Sequence, residues 1–280
     1  MGNVSDKNRL HLDQYYTPPE LAEYCIAKTY EVLGAKNIKS VIEPSAGTGV
    51  FSSKIENCEA YDLEPKSDGI IKADYLNLNL GYECGRLVIG NPPFGVRWNL
   101  MRQFCNKSFD VADFVSFILP INQLNNTASI YKFDLIYSED LGLREYSGKL
   151  VHCCLNIYKR PKVLNEKPNY KDACKGIVEI YEVIQSKDLK RNRAVGDFKF
   201  DFGVCAWGYS IGKTCNVGDF AKSFFFKVED ELNFQYYKDL ILDADWCSIY
   251  KMQGTPNLLH WQVYKYVSEN LLESEDEQTK

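Results

Sequence analysis

The first 160 residues of this 280-residue chain predict an α/β fold built on a parallel sheet, followed by a smaller mixed α+β region. Short β-rich runs alternate with helical stretches through residues 14–160, the pattern of strands joined by crossover helices. One run, Val151–Tyr158, is apolar almost throughout, as expected of a strand inside a sheet. After Pro161 the composition shifts. Asn165–Tyr170 is polar and contains proline, and the remainder is rich in aromatics and glycine, as in Trp207-Gly208-Tyr209 and Phe224-Phe225-Phe226. The expected units are therefore residues 1–160, 161–272 and an acidic tail, 273–280.

The elements follow in order. Thr17-Pro18-Pro19-Glu20 reads as a helix start, with Thr17 as cap, Pro18 at the first helical position and Glu20 closing a capping box. That helix continues through Leu21, Cys25, Ile26 and Val32 and stops at Gly34. Strands are expected at Ser40–Glu43, Glu59–Leu63, Gly69–Lys72, Leu87–Gly90 and Phe114–Leu119, with a helix over Trp98–Ala112 between the last two. Phe133–Tyr137 and Val151–Tyr158 complete the strand set. Asp113 sits at an element boundary, and a helix near Leu258–Leu272 closes the second region.

Composition removes several function classes. At 45% hydrophobic and 25% charged residues, the chain has ordinary globular composition. No apolar run approaches the roughly 20 residues that cross a bilayer. Met1-Gly2-Asn3-Val4-Ser5-Asp6 lacks the basic-then-apolar order of a signal peptide, so a cytoplasmic location is expected. The ten cysteines include no C-x-x-C pair, and the three histidines, His11, His152 and His260, lie far apart. No metal site is expected; the cysteines read as reduced, small core hydrophobes. The net charge of −5 hides an asymmetry. From Lys159 to Arg193 ten basic residues face five acids, and from Glu269 to Glu277 there are five acids and no base. Within the basic stretch, Lys187, Lys190, Arg191 and Arg193 are the candidate contacts to a polyanion.

Four features within the first hundred residues carry chemistry. Val41-Ile42-Glu43-Pro44-Ser45-Ala46-Gly47-Thr48-Gly49 reads as a strand running into a glycine-rich turn and then a helix, a place where α/β sheets bind ligands. The third glycine of the dinucleotide fingerprint and the lysine of a P-loop are both missing. Tyr61-Asp62-Leu63-Glu64 puts an acid at the tip of the second strand, where a carboxylate can grip ribose hydroxyls; Asp62 is the choice and Glu64 the fallback. Ala73-Asp74-Tyr75 follows the third strand. Asp74 can accept from an adenine amino group while Tyr75 packs on the ring, or Asp74 can cap the next turn.

The fourth feature is Gly90-Asn91-Pro92-Pro93-Phe94-Gly95. Its four central letters arise by chance in roughly one chain per thousand of this length. Two prolines hold the loop stiff, so that the Asn91 side-chain oxygen and the Pro92 carbonyl can converge on one exocyclic amino group. Phe94 offers a face for stacking a planar base.

With Tyr16-Thr17-Pro18-Pro19 ahead of them, these motifs resemble those of the S-adenosylmethionine-dependent amino-methyltransferases, specifically the N6-adenine DNA methyltransferases with an Asn-Pro-Pro-Phe motif and a carboxy-terminal target-recognition region. The resemblance covers about residues 14–160, and Phe114–Pro120 resembles the family's fifth strand. It implies a Rossmann-like methyltransferase fold with a mainly parallel seven-stranded sheet, and S-adenosyl-L-methionine as cofactor. It also implies roles: Tyr16 and Thr17 beside the methionine end, Glu43, Ser45 and Gly47 along the amino-acid moiety, Asp62 on the ribose and Asp74 with Tyr75 on the adenine. Asn91, Pro92, Pro93 and Phe94 are the implied catalytic loop, and a flipped adenine in duplex DNA is the implied substrate.

Asn-Pro-Pro followed by an aromatic is also similar to the motif of glutamine and RNA methyltransferases. Phenylalanine in the last position, a carboxy-terminal extension and the Lys187–Arg193 stretch favour DNA over RNA or a protein glutamine. A non-catalytic nucleic-acid-binding subunit of the same fold is the remaining alternative. With no nuclease motif in the chain, the expected enzyme is a solitary modifier or one half of a restriction-modification pair. The aromatics Trp207, Tyr209, Trp246 and Trp261 are candidates for stacking on bases, or else belong to a small core.

Overall fold

A computed structural model describes residues 16–146, 148–185, 196–252 and 255–272. The chain divides into two compact units, residues 1–168 and 169–280. The basic residues Lys187, Lys190, Arg191 and Arg193 and the acidic tail 273–280 lie outside the described residues.

The first unit is a seven-stranded sheet. Its strands are β1 (Ser40–Glu43), β2 (Cys58–Asp62), β3 (Ile71–Lys72), β4 (Arg86–Gly90), β5 (Phe114–Pro120), β6 (Asp134–Tyr146) and β7 (Lys149–Lys159). They stand in the order β3-β2-β1-β4-β5-β7-β6. The pairs from β3 to β5 are parallel, while β7 is antiparallel to both β5 and β6. The chain moves outward from β1 to β3, then returns to pair β4 with the other side of β1. The order therefore reverses between β1 and β4, the position where open α/β sheets form their ligand crevice.

Alternation along the strands builds a core on each face of the sheet. Ile42, Val88, Val115 and Phe117 pack with Met101, Phe104, Cys105 and Phe109 of helix α2 (Asn99–Val111). Val41, Leu87, Ile89 and Ile118 pack with Leu21, Ala22, Cys25 and Leu33 of helix α1 (Pro19–Leu33). Six of the ten cysteines are buried. Burial pushes the Cys25 thiol up to about 12, which keeps it a neutral core hydrophobe.

Three expectations change. Helix α1 begins one residue later than expected, with Pro18 at its cap position and no side-chain cap; Thr17 points elsewhere, as described below. The glycine-rich turn leads into turns and a short 3-10 segment, Ser52–Lys54, rather than an α-helix. Strand β6 runs to Tyr146 instead of ending near Tyr137, with register shifts at Leu135/Tyr137 and Asp140/Gly142. Such bulges break the two-residue alternation by which a strand is recognised.

The second unit pairs strands β8 (Val178–Ile184), β10 (Lys222–Val228) and β9 (Phe202–Cys205) in an antiparallel sheet in that spatial order. Helices α3 (Tyr170–Ala173), α4 (Phe234–Leu242), α5 (Trp246–Ile249) and α6 (His260–Ser268) complete it. Its core gathers Val178, Ile180, Val204, Phe224 and Phe226 from the strands with Tyr237, Ile241, Trp246 and Val263 from the helices. Among the described residues, no helix is long and apolar enough to cross a membrane.

Candidate active site

An open cavity of about 220 Å³ lies at the carboxyl ends of β1, β2, β3 and β4. All eight residues expected at a cofactor line it: Tyr16, Thr17, Glu43, Ser45, Gly47, Asp62, Asp74 and Tyr75. So do Asn91, Pro92 and Pro93. Residues distant in sequence reach one place because β1 and β4 are neighbours and each ends in a motif loop.

The loop after β1 is held by hydrogen bonds. Asp62 at the tip of β2 accepts the Gly47 N–H with one carboxylate oxygen (2.7 Å) and the Glu64 N–H with the other (2.7 Å). The Ala46 N–H donates to the Tyr61 carbonyl at 2.9 Å, and the Lys66 N–H to the Gly47 carbonyl at 2.9 Å. Gly47 has φ +54°, and a Cβ there would meet the Tyr16 ring at 3.0 Å. Glycine is thus required twice at this position, for the backbone and for the approach of the ring.

Glu43, the last residue of β1, is 1% exposed. Its carboxylate accepts the Ser52 N–H at 2.7 Å. Burial nevertheless raises its pKa to about 7, against the lowering effect of that hydrogen bond. Asp74 lines the cavity and also caps the following turn, accepting from the Leu76 N–H at 3.1 Å and from Asn77 Nδ2 at 2.7 Å. Tyr75 is 1% exposed, stacked on Phe104 at 5.7 Å, with its hydroxyl 3.1 Å from Ser108. It is a fixed wall rather than a swinging lid.

The loop after β4 is held differently. Pro92 and Pro93 each fix φ, and Asn91 Nδ2 lies 3.1 Å from Thr17 Oγ1, to which it donates. Ser45 Oγ donates to the Asn91 carbonyl at 3.3 Å. Thr17, 7% exposed, therefore joins the chain ahead of α1 to the Asn91 loop instead of capping the helix.

Phe94 departs from its expected place. It is 6% exposed, absent from the cavity wall and part of the core on the α1 side of the sheet. Its ring meets Trp98 edge-on at 6.0 Å. In this conformation it anchors the loop and offers no stacking face, because burying an apolar ring is favoured over exposing it to solvent. Just beyond it, Gly95 has φ +69°, and a Cβ there would come 2.6 Å from Leu100 Cβ.

Sequence reasoning missed the apolar wall. Leu100 and Phe104 of α2 face the cavity together with Val50, Phe51, Leu63 and Leu76. The only signal for Leu100 and Phe104 is their place on the apolar stripe of a helix, which does not distinguish core from cavity. The four aromatics of the second unit also separate. Trp246 is 1% exposed, and Trp261 is half-buried against Tyr250 at 6.0 Å. Trp207 and Tyr209 are exposed.

No protein-family model matches the chain, and no curated protein matches it. Solved structures do. It is similar to a provisionally assigned RNA methyltransferase of Pyrococcus horikoshii, at 19% identity and TM-score 0.43, covering 54% of this chain and 89% of that one. It is similar to a Thermoplasma acidophilum protein, at 21% identity and TM-score 0.42, over 58% of this chain and 99% of that one. A third is a provisionally assigned class I S-adenosylmethionine-dependent methyltransferase of Listeria monocytogenes, at 11% identity and TM-score 0.45, over 56% and 64%. Similarity at that level assigns neither reaction nor substrate to this chain. What its own strand order and the cavity at the β1/β4 switch establish is the fold of the first unit, a Rossmann-like α/β fold with a mainly parallel seven-stranded sheet.

Proposed function

We propose that this chain binds S-adenosyl-L-methionine and transfers its methyl group to the exocyclic N6 of adenine in DNA. One observation carries the reading: the stiff Asn91-Pro92-Pro93 loop opens on the same cavity as Glu43, Asp62 and Asp74. The donor set fits the cofactor. Glu43 and Ser45 suit the ends of an amino acid and Asp62 a ribose diol, while Asp74 beside the flat wall of Tyr75, Leu76 and Phe104 suits an adenine.

When bound, S-adenosylmethionine supplies a methyl group already activated on a sulfonium sulfur. The residues of this chain do the rest by orientation. The lone pair of adenine N6 is delocalised into the ring. Acceptance of its two hydrogens by Asn91 Oδ1 and the Pro92 carbonyl favours a pyramidal nitrogen whose pair can attack in line. The sulfonium would supply the methyl and take the C–S bonding pair, leaving N6 with the positive charge that builds as the C–N bond forms. The same two acceptors stabilise that charge; N6 then releases a proton to water. The target base leaves its helix to reach the loop. Since Phe94 is buried, the base rests on the prolines and the Asn91 acceptors unless the ring turns outward.

The test is methyl transfer from labelled cofactor to duplex DNA, single-stranded DNA, RNA and protein, with products resolved by mass spectrometry. N6-methyladenine in DNA is expected. Asn91→Ala should lower kcat at least about 100-fold and leave cofactor binding by calorimetry within about twofold. Label on RNA adenine or on protein glutamine overturns the substrate. Absence of cofactor binding overturns the enzyme in favour of a non-catalytic nucleic-acid-binding subunit.

A further inference from the structure

The second unit carries an exposed aromatic turn on a rigid support. Trp207 is 48% exposed and Tyr209 88%, the most exposed aromatic side chain among the described residues. They flank Gly208, whose φ of +78° turns the chain between them. The backbone beneath is fixed on both sides. The Gly208 N–H donates to the Pro256 carbonyl at 2.8 Å and the Leu258 N–H to the Ala206 carbonyl at 2.9 Å, while Trp207 forms a β-bridge with Asn257. The Gly212 N–H closes the turn on the Cys205 carbonyl at 3.0 Å, and Lys222 Nζ reaches Asn257 Oδ1 at 2.8 Å. Two rings are thus displayed on ordered backbone, whereas exposed aromatics ordinarily recover burial by packing down.

The segments that build the turn carry basic residues and no acid of their own. Residues 202–218 and 246–268, the two segments that these bonds join, contain no Asp or Glu, on a chain with 38 acids in 280 residues. Exposed Lys213 and Lys251 lie in these segments and form no ion pair among the described residues. The acids that border the two segments are engaged: Asp201 pairs with Lys227 at 3.1 Å, Asp219 accepts the Asn216 N–H at 2.7 Å, and Glu269 pairs with Lys265. Asp245 is occupied in capping, with Ser248 on both its oxygens. Glu182, on the neighbouring strand, pairs with Lys222 at 3.3 Å.

We infer that the Trp207–Tyr209 turn is a DNA-contacting surface of the second unit: the two rings stack on bases or sugars of the substrate while Lys213 and Lys251 take phosphates. This rests on the proposed function and adds to it a binding element apart from the Asn91 loop. Every base has a π face, so stacking of this kind is tolerant of sequence, and the phosphate contacts depend on salt. Backbone ordered before binding loses little freedom on contact.

The experiment is anisotropy titration of randomised-sequence DNA, single-stranded and duplex, with the full chain and four forms: wild type, Trp207→Ala/Tyr209→Ala, Trp207→Phe/Tyr209→Phe and Lys213→Ala/Lys251→Ala. The alanine pair should weaken binding about tenfold or more, while the phenylalanine pair stays near wild type. The lysine pair should reduce the salt slope of log K by about one for each phosphate left without its lysine. Calorimetry with S-adenosylmethionine checks that each variant keeps its cofactor site. If wild type methylates DNA and the alanine pair binds DNA as tightly as wild type, this surface is refuted and the proposed function stands. If wild type binds no DNA at low salt, both fall. Aromatic-dependent binding of RNA or of protein alone overturns the assignment to DNA.

Discussion

The two loops that close the cavity leave neighbouring parallel strands at the same end of the sheet, yet they are held by different forces. The Gly47 loop is tied by hydrogen bonds to protein partners: Asp62 accepts its N–H, and Tyr61 and Lys66 pair with its backbone. The Asn91 loop is also bonded, with Asn91 Nδ2 on Thr17 and the Asn91 carbonyl under Ser45, but it has two further restraints. It is stiffened covalently by Pro92 and Pro93 and pinned by a buried ring, Phe94. A loop fixed by its own polar groups has spent them, and its chemistry is the shape it presents. A loop fixed by proline and an apolar anchor can turn an amide and a carbonyl toward a ligand. That contrast suits the first for holding a cofactor and the second for activating a substrate.

The comparison breaks most visibly at Phe94. Truncation to alanine removes a ring from a core cluster and should cost about 3–5 kcal/mol in urea unfolding. Phe94→Leu separates the two roles that sequence and structure give this residue. If the ring is an anchor, leucine fills most of its volume and methyl transfer stays within a few-fold of wild type. If it stacks on the target base, stability survives and kcat/KM falls by an order of magnitude or more. A folded Phe94→Leu with that loss would restore the stacking role and require the ring to leave the core during turnover.

A second test asks what the carboxylate under the Gly47 loop costs. The folded pKa of Glu43, about 7, lies above the ordinary 4.5, so folding favours the protonated form. The sign follows: the associated stability is fully present below pH 4.5, declines as pH rises, and is lost above about pH 7. Glu43→Gln cannot titrate. Wild type should therefore lose up to about 3 kcal/mol relative to Glu43→Gln between pH 4.5 and pH 8, read as the difference in urea midpoints. Parallel pH profiles would mean that Glu43 is ionised throughout and that its hydrogen bond to Ser52 outweighs its burial.

Gly47→Ala is a milder break in the same loop. A left-handed φ costs an alanine about 1–2 kcal/mol, and the new methyl also presses on the Tyr16 ring. Because that ring borders the proposed cofactor site, affinity for S-adenosylmethionine should fall by more than stability does. Equal losses would mean that Tyr16 only covers the loop.

How much of this can be read from the residues follows the same physics. Strand β1 is expected at Ser40–Glu43 and is found there, because four residues of one polarity pattern end at a glycine-rich turn. Helix α2 is likewise legible from its apolar stripe. Local signals fail where long-range contacts decide. Thr17 has every credential of a helix cap, but the Asn91 amide, 74 positions away, takes its hydroxyl. Phe94 follows two loop-forming prolines and reads as exposed, yet α1 and the sheet supply a core for it. Strand β6 hides behind its bulges, and the Trp207–Tyr209 turn depends on Pro256 and Asn257 for its backbone partners. Motifs disclose the cavity because their backbone chemistry is local; which side chain turns inward is a tertiary matter.

The smallest expected effect bears on the stiffness of the Asn91 loop itself. Pro93→Ala leaves Phe94 in the core and Asn91 in place, removing only the ring that fixes φ at one position and constrains the residue before it. The unfolded chain gains freedom, and stability should fall by about 0.4–1 kcal/mol. If that stiffness aligns Asn91 with the Pro92 carbonyl, the loss appears in kcat, with KM for the cofactor unchanged, since Glu43, Asp62 and Asp74 are untouched. Combining Pro93→Ala with Phe94→Leu sharpens the point. The two sites are adjacent and restrain one loop, so each covers for the other, and the double change should lower kcat by more than the sum of the single ones. Simple additivity would mean that proline and ring act on separate parts of the loop. The contrast with the hydrogen-bonded Gly47 loop would then lie in composition and not in function.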